Sequence, residues 1–206
     1  MITNKKNTYN DYFSANKFPE IVKFPAATYI SIIGNGYPGT SIFYQKKKAL
    51  SDFCIELRRN LFNTSKAFDN DIIEIFYWFD ESSTGLVDIG SFYTTVDLEL
   101  LNYRISIKIP DTISDEDIQV VSKSLINNAF AKMFELYYYT AGDCVQVLHE
   151  GPFAGELETL PILQKYADDN HFVKIGMHHE IHLVHFERGQ DQDNLKTILR
   201  DQVRKI

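Results

Sequence analysis

The sequence predicts an α+β fold made of two pseudo-symmetric β-α-β-β modules that meet in a ligand groove. Three observations support this. Segments whose apolar residues alternate with period two follow, and are followed by, segments with a helical apolar period. The order strand, Gly-Pro turn, helix, strand occurs twice, around GNGYPG (34–39) and around HEGPF (149–153). Each such module exposes a sheet face that its twin must help to cover, and the groove between them is a natural seat for a ligand. A chain of 206 residues, 44% hydrophobic and 14% aromatic, buries roughly 70% of its unfolded surface, enough for one domain or two small fused modules.

Taken in order, residues 1–22 form a polar leader expected to wrap the surface, and 23–206 the ligand domain, with module one at about 23–135 and module two at about 136–206. ATYISIIGNG (27–36) is rich in β-branched and aromatic residues and stops at glycines, so it is a strand. From Ser41, as N-cap, to about Leu61 the apolar spacing is helical. DIIEIFYWFDE (71–81) is a strand with Glu74, Phe76 and Trp78 on one face and Ile73, Ile75, Tyr77 and Phe79 on the other. GSFYTTVDL (90–98) is a further strand candidate, and NYRISIKIP (102–110) alternates cleanly. Residues 112–133 read as an amphipathic helix opened by Ser114 and Asp117. Tyr137, Tyr138 and Tyr139 end a helix or begin a strand. In module two, 142–153 is a strand, 155–170 a helix that Pro161 interrupts or begins, and HHEIHLVHFE (178–187) a strand.

The formal net charge of −7 and pI near 5.3 provide no basic field for a phosphate backbone, so no nucleic-acid partner is expected. Cys54 and Cys144 lack C-x-x-C spacing, which suits a reducing compartment. With no apolar leader core and no apolar run of membrane-spanning length, a soluble cytoplasmic protein with no membrane partner is expected. GNGYPG lacks the spacing of a dinucleotide fingerprint, and no cofactor is expected.

The segment MHHEIHLVHFERG (177–189) holds four of the six histidines. On a strand, His178, Glu180, His182 and Val184 share one face and His179, Ile181, Leu183 and His185 the other. Ile181 and Leu183 are expected to face the helices, leaving Glu180 on the sheet's open face. Same-face neighbours lie roughly 6–7 Å apart, too far for three to converge on zinc, so no metal site is expected. The order is not H-E-x-x-H, and the P-C-x-x-C half of a zinc deaminase signature is missing. Glu180 is then either solvated or held in a pocket, where burial beside aromatics would raise its pKa toward that of a general base or make it a counter-charge for a cation.

HHEIHLVHFERGQDQDNLKTILRDQV (178–203) resembles the C-terminal signature of GyrI-like small-molecule-binding proteins, H-H-E-I-Y-L-s-D, a loop, then K-L-K-T-x-x-R-x-P-V. CVQVLHEGPFAGELETL is similar to the family's c-V-Q-x-x-H-x-G-P-y-d-d-E segment, YRISIKIPDTISDEDI to its m-I-r-x-P-d-f-V-t-x-e-d-f segment, and PEIVKFPAATYISIIGNGYPG to its opening. IIEIFYW stands in the place of P-L-E-G-L-W-W. The resemblance implies a bacterial effector-binding-domain-like fold whose groove takes amphipathic, often aromatic or cationic, small molecules. It resembles the stand-alone branch, which includes hydrolases of cyclopropane-bearing, DNA-alkylating natural products, a xenobiotic-resistance activity. Glu180 matches the signature glutamate, Trp78 and Tyr77 the W-W pair, Glu74 the acidic residue before it, and Tyr103 an aromatic of the m-I-r-x-P strand. The chain differs in having Tyr77 for the first tryptophan, Ile72 and Ile75 for Pro and Gly, and Ile181-His182-Leu183-Val184-His185 for I-Y-L-s-D.

Three functions follow as expectations. A binding module would hold a flat hydrophobic or cationic compound against Trp78, Tyr103, Tyr77 and Phe76, near Glu74, His178 and His182, with Glu180 as counter-charge. A hydrolase would use Glu180 as general base while Trp78 and Tyr103 hold the substrate; of Tyr77 and Trp78, Trp78 is the expected pocket residue. A protein-interaction role, such as gyrase inhibition, is the third.

Overall fold

The computed structural model describes residues 3–4, 9–125, 127–140 and 142–206, with side chains from residue 11 onward. Residues 1, 2 and 5–8 of the expected leader and Ile126 of the expected 112–133 helix lie outside the described residues. The strands are β1 (Thr3–Asn4), β2 (Glu20–Phe24), β3 (Ala27–Asn35), β4 (Ile73–Trp78), β5 (Asn102–Ile109), β6 (Glu135–Tyr139), β7 (Gly142–Glu150), β8 (Phe172–His182) and β9 (Lys196–Lys205). The helices are α1 (Tyr9–Tyr12), α2 (Ser41–Leu61), α3 (Glu81–Thr84), α4 (Asp115–Ser124) and α5 (Glu156–Asp169). The fold is α+β.

All the described strands join one sheet in the order β1-β2-β7-β9-β8-β4-β5-β3-β6. The duplication is explicit in that order. β3-α2-β4-β5 and β7-α5-β8-β9 each place their last strand between the other two, and the modules meet where β4 pairs antiparallel with β8. The strand that leads each module pairs with the opposite module or its far edge: β2 precedes β3 yet pairs with β7, and β6 precedes β7 yet pairs with β3. This exchange covers both module edges by strand pairing, where open ladders would otherwise remain.

α2 packs on β3 and β5, and α5 on β7 and β8, so both helices lie on one face of the sheet. The main core, including Ile32, Leu50, Phe53, Leu57, Ile75, Ile105, Leu163 and Leu199, fills that interface. The other face is covered too: Tyr12 packs there with Val22, Phe24, Cys144, Ile181 and Ile198, and Tyr29 with Ala27 and Phe76. The leader is therefore partly core, since Tyr12 is buried. The backbone oxygens of Ser14 and Asn16 accept bonds from Gln146 Nε2 and the Leu148 amide at 3.1 and 2.7 Å.

Several local expectations change. The cap of α2 is Thr40, whose Oγ1 accepts from the Phe43 amide, one residue before Ser41. Residues 90–98 are turns, not a strand, because Asp88 Oδ1 accepts from both the amide and hydroxyl of Ser91, a local bond that competes with a ladder. The Ser114 amide does donate to Asp117 Oδ2 at 2.8 Å, but α4 ends at Ser124, and Asn128 Oδ1 then turns the chain by accepting from the Phe130 amide. α5 continues through Pro161. β8 starts at Phe172 and carries an irregularity between Lys174 and His178, where Gly176 adopts φ 73°. It stops at His182 because β9 continues the ladder only that far, and the following RGQDQDN segment makes its own turn bonds through Gln190 and Asp191.

Candidate functional site

Antiparallel partners share a face, so the ladders give rows across the sheet. One row runs Val147, Leu199, Glu180, Ile75, Ile105, Ile32. Apart from Glu180 it is wholly apolar and part of the core beneath the helices. Glu180 therefore faces the helical layer, not the open face, and is 3% exposed. The alternation of the histidine strand is as expected; its orientation is reversed. Both faces of this central strand are buried, so Ile181 satisfies its apolar need on the other side, against Tyr12 and Phe24.

Around Glu180 the polar groups converge from three directions. His182 Nε2 donates to Glu180 Oε2 at 3.0 Å, and His178 Nε2 lies 3.6 Å from Oε1. Tyr93, from the turn after α3, donates its hydroxyl to Oε1. Glu156, at the start of α5, is buried close enough to Glu180 for the two carboxyls to act on each other's charge. His178 Nδ1 is 2.9 Å from Asp201 Oδ2 on β9. Aromatic rings close the site: Phe92 lies 4.9 Å from the His178 ring, Tyr93 5.7 Å, and Phe153 5.1 Å from the His182 ring.

Burial and pairing act in opposite senses here. Burial alone would raise Glu180, but the bonds and charges of His178 and His182 outweigh it and hold the carboxyl well below its usual range. Burial alone would lower His178, yet Asp201 and Glu180 raise it to about 9. For His182 burial prevails over Glu180, and the imidazole is pushed down. Burial, then the charge of Glu180, push Glu156 well above the ordinary carboxyl range. At neutral pH the site thus holds an ionised Glu180, a cationic His178 and a neutral His182, with the Glu156 carboxyl shifted toward its protonated form. The expected upward shift belongs to Glu156; Glu180 moves the other way.

The remaining candidates divide between the faces. Tyr77 pairs with His178 and Tyr103 pairs with Tyr77, so both belong to the Glu180 face. Tyr103 packs edge-on against Phe43 with centroids 5.0 Å apart. Trp78 is half-buried and borders a small recess with Phe79, Phe92 and Lys174. Tyr77, and not Trp78, is the residue beside His178. Glu74 and Phe76 lie on the opposite face, where Glu74 Oε2 is 2.9 Å from His179 Nε2 and Phe76 stacks on the His179 ring at 4.0 Å. Arg200, matching the signature arginine, is buried there, donating to Gln146 Oε1 and the Tyr12 carbonyl at 2.9 and 2.7 Å.

Sequence reasoning missed Phe92, Tyr93 and Glu156. Glu156 occupies the last position of the c-V-Q-x-x-H-x-G-P-y-d-d-E segment, so a signal for it existed. Tyr93 sits in Gly-, Ser- and Thr-rich sequence without strand or helix period, and only the folded turn brings it to Glu180.

Two adjoining cavities open beside α2. One of about 220 Å³ is bordered by Lys47, Cys54, Ile73 and His182 among others; the next, of about 520 Å³, by Tyr44, Lys47, Phe186 and Arg188. Lys47 is buried, donates to the Phe186 carbonyl at 2.6 Å, and is lowered to about 8 by burial. Among the described residues no three His, Cys, Asp or Glu side chains are grouped to hold a metal ion, and no helix is long and apolar enough to cross a membrane.

Paired modules, an exchanged pair of leading strands and helices on one face define the GyrI-like fold. No family model and no curated protein sequence matches this chain. Among solved structures, an uncharacterized conserved protein from Listeria innocua superposes with a TM-score of 0.77 at 20% identity, covering 98% of this chain and 99% of that one. A hydrolase from Listeria innocua gives 0.77 at 19% identity, covering 99% and 100%. The C-terminal domain of EcmrR gives 0.57 at 13% identity, covering 91% and 98%. At these identities the likeness establishes the fold.

Proposed function

We propose that residues 23–206 form a cytoplasmic GyrI-like domain that binds an amphipathic aromatic or cationic small molecule beside Glu180. The observation that carries this reading is an ionised carboxylate, 3% exposed, in the middle of an otherwise apolar sheet row and between the two helices. Burying such a charge costs several kcal/mol before pairing, and folds retain it where the charge has a use. Glu180 is the carboxylate that a cationic group would meet there, while Asp201 is engaged by His178. Phe92, Tyr93 and Tyr77 supply aromatic edges and faces of the kind that hold flat or cationic compounds.

A second reading is hydrolysis of a strained, cyclopropane-bearing compound, with Glu180 taking a proton from water. The opposite shifts of Glu180 and Glu156 support it, because carboxyls whose environments push their pKa values apart are suited to separate base and acid roles. One of the superposing structures is also a hydrolase.

The test is a thermal-shift screen of the purified protein against flat aromatic, cationic and cyclopropane-bearing compounds, with mass spectrometry of each hit after incubation. Hits recovered unchanged, and bound more weakly by Glu180→Gln, support binding alone. A hit that gains the mass of water only with intact Glu180 supports the hydrolase. A screen without any stabilising compound refutes both.

A further inference from the structure

His182 stands where the resembling signature has tyrosine, and its ring is arranged as half of a general-base dyad. A carboxylate accepts and never donates, so the 3.0 Å contact with Glu180 Oε2 fixes the proton on His182 Nε2. The lone pair of the neutral ring is then on Nδ1. That nitrogen is buried and has no hydrogen-bond partner among the described residues, in a side chain 8% exposed that borders the 220 Å³ cavity. Lys47 borders the same cavity, and of its three ammonium protons one is used on the Phe186 carbonyl.

We propose that this cavity is a hydrolytic site for a small carboxylic ester, with His182 as general base, Glu180 as its positioning carboxylate and Lys47 as the donor to the developing oxyanion. This rests on the reading that small molecules enter the region beside Glu180. The cavity of about 220 Å³ takes the acyl part, and the adjoining groove of about 520 Å³, which shares Lys47, Ser51, Ile55 and His185 with it, takes the alcohol part. His182 Nδ1 removes a proton from water as the water oxygen bonds to the carbonyl carbon. The carbonyl electron pair moves to oxygen, facing the Lys47 ammonium. When it returns, the bond to the alcohol oxygen breaks, and the proton on Nδ1 passes to that oxygen. Ester and water give acid and alcohol, with no other reactant.

The groups that set the charge around His182 are Glu180 on its own strand, Lys47 and Arg58 on α2, Glu156 on α5 through Glu180, and Asp71 and His185 at the cavity wall. Glu180 raises His182, and Lys47 lowers it. The experiment measures hydrolysis of 4-nitrophenyl acetate by the full chain from pH 4.5 to 9. The expected kcat/KM rises with pH through an inflection below 6.5 and falls again as the Lys47 ammonium is lost through about 8. His182→Gln is expected to lose about 100-fold or more. Glu180→Gln moves the inflection down and Lys47→Met moves it up, shifts that a purely structural role does not produce.

A wild-type profile without that inflection, or a rate no higher than that of folded His182→Gln, overturns the proposal. If His182→Gln does not fold, the wild-type profile and Lys47→Met decide. Compounds that stabilise the protein while no ester is cleaved would sink this inference and leave the binding reading standing. Ester cleavage without any other bound compound would do the reverse.

Discussion

The hydroxyl of Tyr12 donates to Glu74 Oε2 at 2.8 Å, joining the N-terminal segment to the sheet face opposite Glu180. The same hydroxyl meets that of Tyr29, and the Arg200 guanidinium lies 4.7 Å from the Tyr12 ring. Tyr12→Phe keeps the ring and strands the Glu74 carboxyl with one donor fewer. Leaving a buried polar group short of a partner costs about 1–3 kcal/mol. Urea unfolding should show that loss with an unchanged slope, and Tm should fall by roughly 2–4 °C per kcal/mol. A wild-type midpoint would show the bond to be idle.

His178 predicts a loss of stability in alkali. Its folded pKa of about 9 lies above the ordinary 6.5, burial being outweighed by Asp201 and Glu180. The contribution is therefore complete below 6.5 and disappears as pH rises through about 9, amounting to about 3 kcal/mol. Tm measured from pH 6 to 10 should fall across that window in the wild type. In His178→Gln the fall should be largely gone.

Glu156 carries the opposite sign. Burial and the Glu180 charge raise its folded pKa above 4.5, so above that pH the unfolded chain ionises while the folded one holds its proton. Its neutral form is the one that fits. Glu156→Gln keeps the shape of the side chain with no charge to bury, and should be more stable than the wild type at pH 8. Near pH 4 the difference should close, and denaturation at the two pH values checks this.

Gly34 is a packing requirement of Tyr103. A Cβ built at Gly34 would collide with the Tyr103 ring, against which the two paired strands place it. Gly34→Ala should cost about 1–3 kcal/mol through overpacking. Tyr103→Leu in the same chain should return part of that loss. Additive effects in the double mutant would count against direct contact.

These positions also mark what each level of description decides. Alternation alone was enough to group Glu180 with His178 and His182, and Glu74 with Phe76, because side-chain period two is a local property of extended backbone. The repeated strand, Gly-Pro turn, helix order revealed the duplicated module, and a Ser114–Asp117 start was readable from spacing. The direction in which those faces point was not readable. A central strand buried on both sides carries apolar residues on both, so Ile181 could not report where the helices lie. Tyr12 entered the second core from a leader whose polarity suggested surface, although Tyr9, Tyr12 and Phe13 stand there at helical spacing.

Residue type and order thus determined the modules, the strand faces and a histidine-flanked glutamate near the centre of the fold. Only the tertiary structure decided which charges those groups hold, because that depends on partners distant in sequence. Asp201 from β9 makes His178 a cation, Tyr93 from a turn and Glu156 from α5 meet Glu180, and burial by both helices makes their pairing strong enough to separate the pKa values.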